Sequence, residues 1–128
     1  MMNKAIIALG ANIKPAENIS QAKVIIARNH KKLAESSIVE TQPIGYTQQP
    51  NFLNGTMLIE TKLSRSELAK WLKQVEKQLG RVRTKNKNGP RTIDLDIVVW
   101  NNEIVDNDVY ERDFLWNSVR EVAPDISK

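Results

Sequence analysis

The chain has 128 residues, 41% of them hydrophobic, enough for one core and for the single domain expected over residues 1–128. It contains no cysteine, which excludes disulfides, thiolate metal sites and cysteine nucleophiles, and His30 is its only histidine. A net charge of +4, from 19 basic and 15 acidic residues, with a pI near 9.4 suits an anionic partner but is mild for a dedicated nucleic-acid binder.

Residues 5–9, Ala-Ile-Ile-Ala-Leu, read as a short buried strand stopped by Gly10-Ala11-Asn12. Neither this stretch nor residues 24–27 is long enough to cross a bilayer, and Met1-Met2-Asn3-Lys4 lacks a signal-peptide apolar block. A cytoplasmic protein without membrane contacts is expected. Pro15, Glu17 and Asn18 are helix-start signals. Ile19, Ala22, Ile26, His30 and Leu33 then carry a helical register to about residue 33, which makes His30 a helix-boundary residue rather than a base or ligand. A second strand is expected over residues 37–42, ended by Pro43 and Gly45, and a third over residues 52–61 after a polar loop. Ser64-Arg65-Ser66-Glu67 has capping-box form, and Leu68, Leu72, Val75 and Leu79 recur at helical spacing before Gly80.

Between residues 81 and 91 stand five cations, Arg81, Arg83, Lys85, Lys87 and Arg91. Such a run is more often a solvated loop than a site. Directly after it, Ile93-Asp94-Leu95-Asp96-Ile97-Val98-Val99 places two acids at alternate positions of an apolar strand. Alternation sends Ile93, Leu95, Ile97 and Val99 to one face and both aspartates to the other, with Cα atoms about 6.5 to 7 Å apart. Alternating acids are commonly the wet face of an edge strand. Set against five cations, they can instead hold hard cations while guanidinium groups take the remaining phosphate oxygens, which points to phosphoryl or pyrophosphoryl transfer.

A turn at Asn101-Asn102 and a short helix near residues 117–122 complete the order. The elements read β-α-β-β-α-β, a ferredoxin-like α+β fold with an antiparallel sheet and helices packed on one face.

Gly80-Arg81-Val82-Arg83 and Gly89-Pro90-Arg91-Thr92-Ile93-Asp94-Leu95-Asp96-Ile97 are similar, almost letter for letter, to the signature of the 6-hydroxymethyl-7,8-dihydropterin pyrophosphokinase family. These folate-pathway enzymes move a pyrophosphoryl group from ATP to a pterin alcohol. Supporting pieces are Leu9-Gly10-Ala11-Asn12, Thr41-Gln42-Pro43-Ile44-Gly45, Gln49-Pro50-Asn51-Phe52-Leu53-Asn54 and Glu76. The resemblance is close from residue 4 to about 100 and loose in a shortened C-terminal region. It implies that Asp94 and Asp96 bind two Mg²⁺ ions and that Arg81 and Arg91 are catalytic-loop arginines. It further implies that Phe52 stacks on the pterin, Asn54 bonds its edge, and the backbone at Thr41, Pro43 and Ile44 reads its amide-like face. Glu76, Arg83 and Arg91 match nucleotide-side positions. For Phe52 and Asn54 the residues alone favour core packing and a strand-bordering polar group.

The sequence departs from the family in two places. The histidine- and proline-containing loop that contacts ATP after the aspartate strand is missing, so Arg112 and Phe114 follow soon after Tyr110-Glu111; they match a phosphate contact and the second face of a pterin sandwich. Asn88 stands where the family often has a tryptophan. The resemblance implies an ATP-dependent, Mg²⁺-dependent pyrophosphokinase, acting as a monomer on pterin and ATP, with AMP as product. The alternatives are a pterin-binding paralogue with weak or no turnover, motivated by the missing loop, and an RNA-binding sheet of the same element order. The latter lacks the aromatic RNA-recognition motif, and no P-loop sequence occurs.

Overall fold

Alternation along the first strand, β1 (Asn3–Ala11), turns Ala5, Ile7, Leu9 and Ala11 to one side and Ile6 and Ala8 to the other. A strand apolar on both faces must be covered on both, and β1 lies near the middle of the sheet accordingly. The computed structural model describes residues 2–82 and 89–127. Arg83, Lys85, Lys87 and Asn88 fall outside the described residues.

After β1 come α1 (Pro15–Asn29), β2 (Lys31–Glu35), β3 (Val39–Thr41), β4 (Phe52–Thr61), α2 (Arg65–Gln78), β5 (Asp94–Trp100), β6 (Glu103–Ile104), α3 (Asp108–Glu111) and α4 (Asp113–Val122). The strands form one antiparallel sheet in the order β2-β4-β1-β5-β6, with β3 also paired to β4. That is the expected ferredoxin-like arrangement. Ile19, Ala22 and Ile26 of α1 and Leu68, Leu72 and Val75 of α2 pack on the face carrying Ile7, Leu9, Met57, Ile59 and Leu95. Unlike the expected single helical face, the other face is covered as well: Val109 of α3 and Leu115, Val119 and Val122 of α4 pack on Ile6, Leu58 and Val98. Among the described residues no helix is long and apolar enough to cross a membrane.

The capping box at Ser64 is made in full, with Glu67 N–H donating to Ser64 Oγ at 3.2 Å and Ser64 N–H to Glu67 Oε1 at 2.9 Å. At the other end of α2, Gly80 takes φ 86°, which only glycine adopts cheaply. Gly80 N–H then bonds Lys77 O and Arg81 N–H bonds Glu76 O, a Schellman ending that turns the chain back along the helix. Arg81 thereby leaves α2 heading toward β5.

Three further expectations are corrected. The first helix ends at Asn29 rather than near residue 33, because His30 is extended and residues 31–35 pair with β4, a ladder that satisfies more backbone than another helical turn would. Val99 does not share a face with Ile93, Leu95 and Ile97. A bulge between the Ile6–Val99 and Ile7–Ile97 pairs adds one residue to β5, and Val98 and Val99 both join the cluster under α4. The final helix begins at Asp113, four residues before the expected start, since extended Arg112 offers its carbonyl to the N–H groups of Leu115 and Trp116.

Candidate active site

Three neighbouring strands build a trough on the α4 side of the sheet. Gly10 of β1 pairs with Asn54 of β4 on one flank and Asp94 of β5 on the other; Ala8 pairs likewise with Thr56 and Asp96. Small residues in the middle strand leave a floor without side-chain bulk, and two inter-strand spacings set the amide row and the acid row about 10 Å apart. A Cβ on Gly10 would already stand 3.0 Å from Asn54 Oδ1. The resulting open cavity has Gly10 and Ala8 on its floor and is lined by Thr41, Ile44, Phe52 and Asn54, by Asp94, Asp96 and Arg91, and by Arg112, Phe114 and Leu115 at the start of α4.

Most residues singled out in the sequence therefore converge. Thr41, Ile44, Phe52, Asn54, Arg91, Asp94, Asp96, Arg112 and Phe114 all line the one cavity. Pro43 is half-buried between Gln42 and Ile44 but is not a lining residue. Glu76 and Arg81 border a neighbouring groove on the α2 side, with Lys73, Gln74 and Lys77. Arg83 lies outside the described residues.

On the amide side, Asn54 Nδ2 donates to Thr41 Oγ1 at 2.6 Å, so β3 fixes the plane of the Asn54 amide. Phe52, half-buried, has the Arg91 guanidinium 5.4 Å from its ring centroid. Arg91 is held at both ends: its guanidinium donates to Asp94 Oδ2 at 3.0 Å and to Gly89 O, while its backbone N–H donates to Asn12 Oδ1 at 2.9 Å. Asn12, 4% exposed, uses its Nδ2 on Gln49 Oε1 and Pro50 O, and so pins Arg91 and the loop before Phe52 to the end of β1. Its place in Leu9-Gly10-Ala11-Asn12 was visible in the sequence; its linking role depends on contacts 37, 38 and 79 residues away.

Arg81 crosses between the two grooves. Its Nη1 donates to Asp94 Oδ1 at 2.7 Å and to Ile93 O at 3.2 Å, and lies 3.3 Å from Glu76 Oε2. Glu76 is 2% exposed and accepts from Leu95 N–H at 2.7 Å, tying α2 to β5. Lys73, a residue the sequence reading passed over, reaches Glu76 Oε2 at 3.4 Å and Asp96 Oδ1 at 3.6 Å.

The two aspartates are consequently unlike. Burial pushes the Asp94 carboxyl up, but the Arg81 hydrogen bond and the charges of Arg81, Arg91 and Lys73 outweigh it and hold Asp94 below the usual range. Asp96 is pushed up to about 6 by burial and by the charge of Asp94, with Lys73 opposing. Asp96, which among the described residues pairs with Lys73 rather than with a guanidinium, is the carboxylate open to a cation beside Asp94. Among the described residues no third acid or histidine completes a protein-only cage. That donor set fits Mg²⁺, which takes one or two carboxylates and fills its octahedron with water and phosphate oxygens.

A family model described as 7,8-dihydro-6-hydroxymethylpterin-pyrophosphokinase matches residues 6–124. The chain belongs to this family. It is 37% identical over 139 aligned positions to the 2-amino-4-hydroxy-6-hydroxymethyldihydropteridine pyrophosphokinase of Bacillus subtilis, an alignment covering 100% of this chain and 83% of that protein. With the Haemophilus influenzae protein of the same name it shares 35% identity over 98% of the chain and 84% of the relative. It is 30% identical to the folate synthesis bifunctional protein of Arabidopsis thaliana, over 94% of the chain but 26% of that longer protein. In this pyrophosphokinase-family chain, the trough of β1, β4 and β5 is where Arg91, Asp94 and Asp96 meet Phe52 and Asn54.

Proposed function

We propose that this chain transfers pyrophosphate from ATP to 6-hydroxymethyl-7,8-dihydropterin in folate synthesis and releases AMP. The observation that carries the reading is the convergence, in one cavity, of a flat-ring wall (Phe52, Asn54, Thr41, Phe114) and an acid–guanidinium wall (Asp94, Asp96, Arg91, Arg112). A bicyclic heterocycle needs an aromatic face and an amide with donor and acceptor edges, and a polyphosphate needs cations opposite paired acids. The names of the relatives support the substrate.

In this reading Phe52 and Phe114 take the two ring faces, Asn54 bonds the ring edge, and the backbone at Thr41, Pro43 and Ile44 reads the amide-like side. Arg91 draws back from Phe52 as the ring enters. The hydroxymethyl oxygen forms a bond to the β-phosphorus and releases its proton to solvent, while the bond from that phosphorus to the oxygen bridging to the α-phosphate breaks and AMP leaves with that electron pair. Asp94 and Asp96 would hold magnesium, two ions on the family pattern, and the metal would supply neutralisation of phosphate charge. Arg81, Arg91 and Arg112 donate to phosphate oxygens as charge shifts onto the leaving group, with Arg83 in the same role. Glu76 borders the nucleotide side and keeps Arg81 beside Asp94. The chain acts as a cytoplasmic monomer on small molecules, without nucleic acid.

The test is AMP release from ATP, Mg²⁺ and the reduced pterin by the native chain beside Asp94→Ala and Asp96→Ala. Release that depends on the pterin and disappears in both variants is expected. Pterin binding without AMP release by the native chain would refute the proposed turnover.

A further inference from the structure

Helix α4 carries two stripes. Leu115, Val119 and Val122 face the sheet, while Phe114, Ser118 and Glu121, at i, i+4 and i+7, line up on a second side. Along that side the helix is held by polar contacts to Ser36 and Ser37, in the segment that leads directly into β3. Ser118, Ser36 and Thr56 are all buried. Ser118 Oγ donates to Ser36 Oγ at 2.9 Å, Ser36 Oγ donates to Ser37 O at 2.8 Å, and Thr56 Oγ1 donates to Ser118 O at 2.9 Å. Thr56 N–H fills the remaining lone pair of Ser36 Oγ at 2.8 Å. With that assignment every hydroxyl proton in the cluster is used. One turn on, the Glu121 carboxylate accepts from Ser37 N–H at 2.8 Å and Ser37 Oγ at 3.1 Å.

Apolar burial presses α4 on the sheet but is non-directional, so it fixes neither the rotation of the helix nor its distance from β3. Directed hydrogen bonds do both. Gly55 allows the approach: a Cβ there would stand 2.6 Å from Ile38 Cδ1 and 3.2 Å from Ser36 Oγ. The clasp ties the helix bearing Phe114 to the segment ending in Thr41, and both line the cavity. Its hydrogen bonds run among Ser36, Ser37, Thr56, Ser118 and Glu121.

We infer that Ser118 and Glu121 are positioning residues for the heterocycle side of the cavity, setting the gap between Phe114 and the Thr41–Ile44 wall, whereas Asp94, Asp96, Arg81 and Arg91 lie outside α4 and β3. The assignment rests on the proposed reaction.

The test compares steady-state AMP release by the native chain, Glu121→Ala, Glu121→Gln and Ser118→Ala, with KM measured separately for the reduced pterin and for ATP. Glu121 is exposed, so its variants keep the experiment decisive even where Ser118→Ala folds poorly. Loss of a charge-assisted bond to a backbone N–H predicts a pterin KM raised about fivefold or more in Glu121→Ala, with KM for ATP and kcat within about twofold and most of the loss restored in Glu121→Gln. Unchanged constants in Glu121→Ala, or equal losses for both substrates, overturn the clasp while the reaction stands. A native chain that neither binds the pterin nor releases AMP overturns the reaction and the clasp with it.

Discussion

Replacing Glu76 by alanine tests whether this buried acid is chiefly a brace between α2 and β5. At 2% exposure it accepts from Leu95 N–H at 2.7 Å, and truncation leaves that backbone donor without its carboxylate. A charged hydrogen bond of this kind contributes about 1.5–3 kcal/mol. The ion pair with Arg81, itself 12% exposed, adds to the loss, whereas the pair with half-exposed Lys73 adds little. One effect runs the other way, because Glu76 is among the charges that push Asp96 up, and its removal relieves that repulsion. The net expectation is a loss of about 2–4 kcal/mol, which for a domain of this size lowers Tm by about 10 °C. Glu76→Gln keeps an acceptor oxygen for Leu95 and is expected to cost about 1 kcal/mol. Thermal unfolding by circular dichroism, with urea titration for ΔG, reads both. An alanine variant melting within about 2 °C of the native chain, or glutamine as damaging as alanine, refutes the brace.

Asp96→Asn removes a carboxylate crowded by Asp94 and Glu76, so it is expected to raise the urea midpoint of the metal-free chain while abolishing AMP release; a lowered midpoint contradicts the crowding argument. Asn12→Ala strips the bonds to Gln49 and Pro50 and leaves Arg91 N–H without Asn12 Oδ1, a loss of about 2–4 kcal/mol by denaturation, with a larger fall in kcat than Glu76→Gln shows. Gly55→Ala forces a Cβ against Ile38 and is expected to cost about 1–3 kcal/mol by the same measurement. Burial holds His30 below the usual histidine range, edge-on to Trp71, its Nε2 buried without a hydrogen-bond partner, in a groove shared with Arg28, Lys31, Glu60 and Lys62. Neutral His30 thus adds stability that is complete above about pH 6.5 and lost as pH falls, so the advantage of His30→Phe over the native chain should grow between pH 7 and 5; a constant difference refutes it.

The parts of the fold written in local pattern were legible. Capping box, apolar register and Gly80 place α2, and alternation puts Asp94 and Asp96 on one face. What escaped depends on pairing between distant segments. Nothing near Leu33 says that residues 31–35 find a better partner in β4 than in another helical turn. Nothing near Val98 announces a bulge set by where Ile6 and Ile7 meet β5. Site residues divide in the same way: Phe52, Asn54 and the aspartates stand out against their neighbours, whereas Asn12, Lys73 and Ser118 acquire partners only once β1, α2 and α4 are docked.

The least conspicuous residues on β1 shape the site most. Asn54 and Asp94 belong to different strands and would face each other across an ordinary side chain were Gly10 anything larger. Because it is glycine, the Asn54 amide closes to 3.0 Å of where a Cβ would stand and still reaches Thr41, while Asp94 on the far flank keeps both oxygens for Arg81 and Arg91. Ala8 repeats the arrangement one pleat away, between Thr56, which anchors α4 through Ser118, and Asp96, which pairs with Lys73. The groups that orient a ring and the groups that manage phosphate charge are therefore held on separate strands, and the narrow strand between them sets their spacing by backbone hydrogen bonds rather than by side-chain contact.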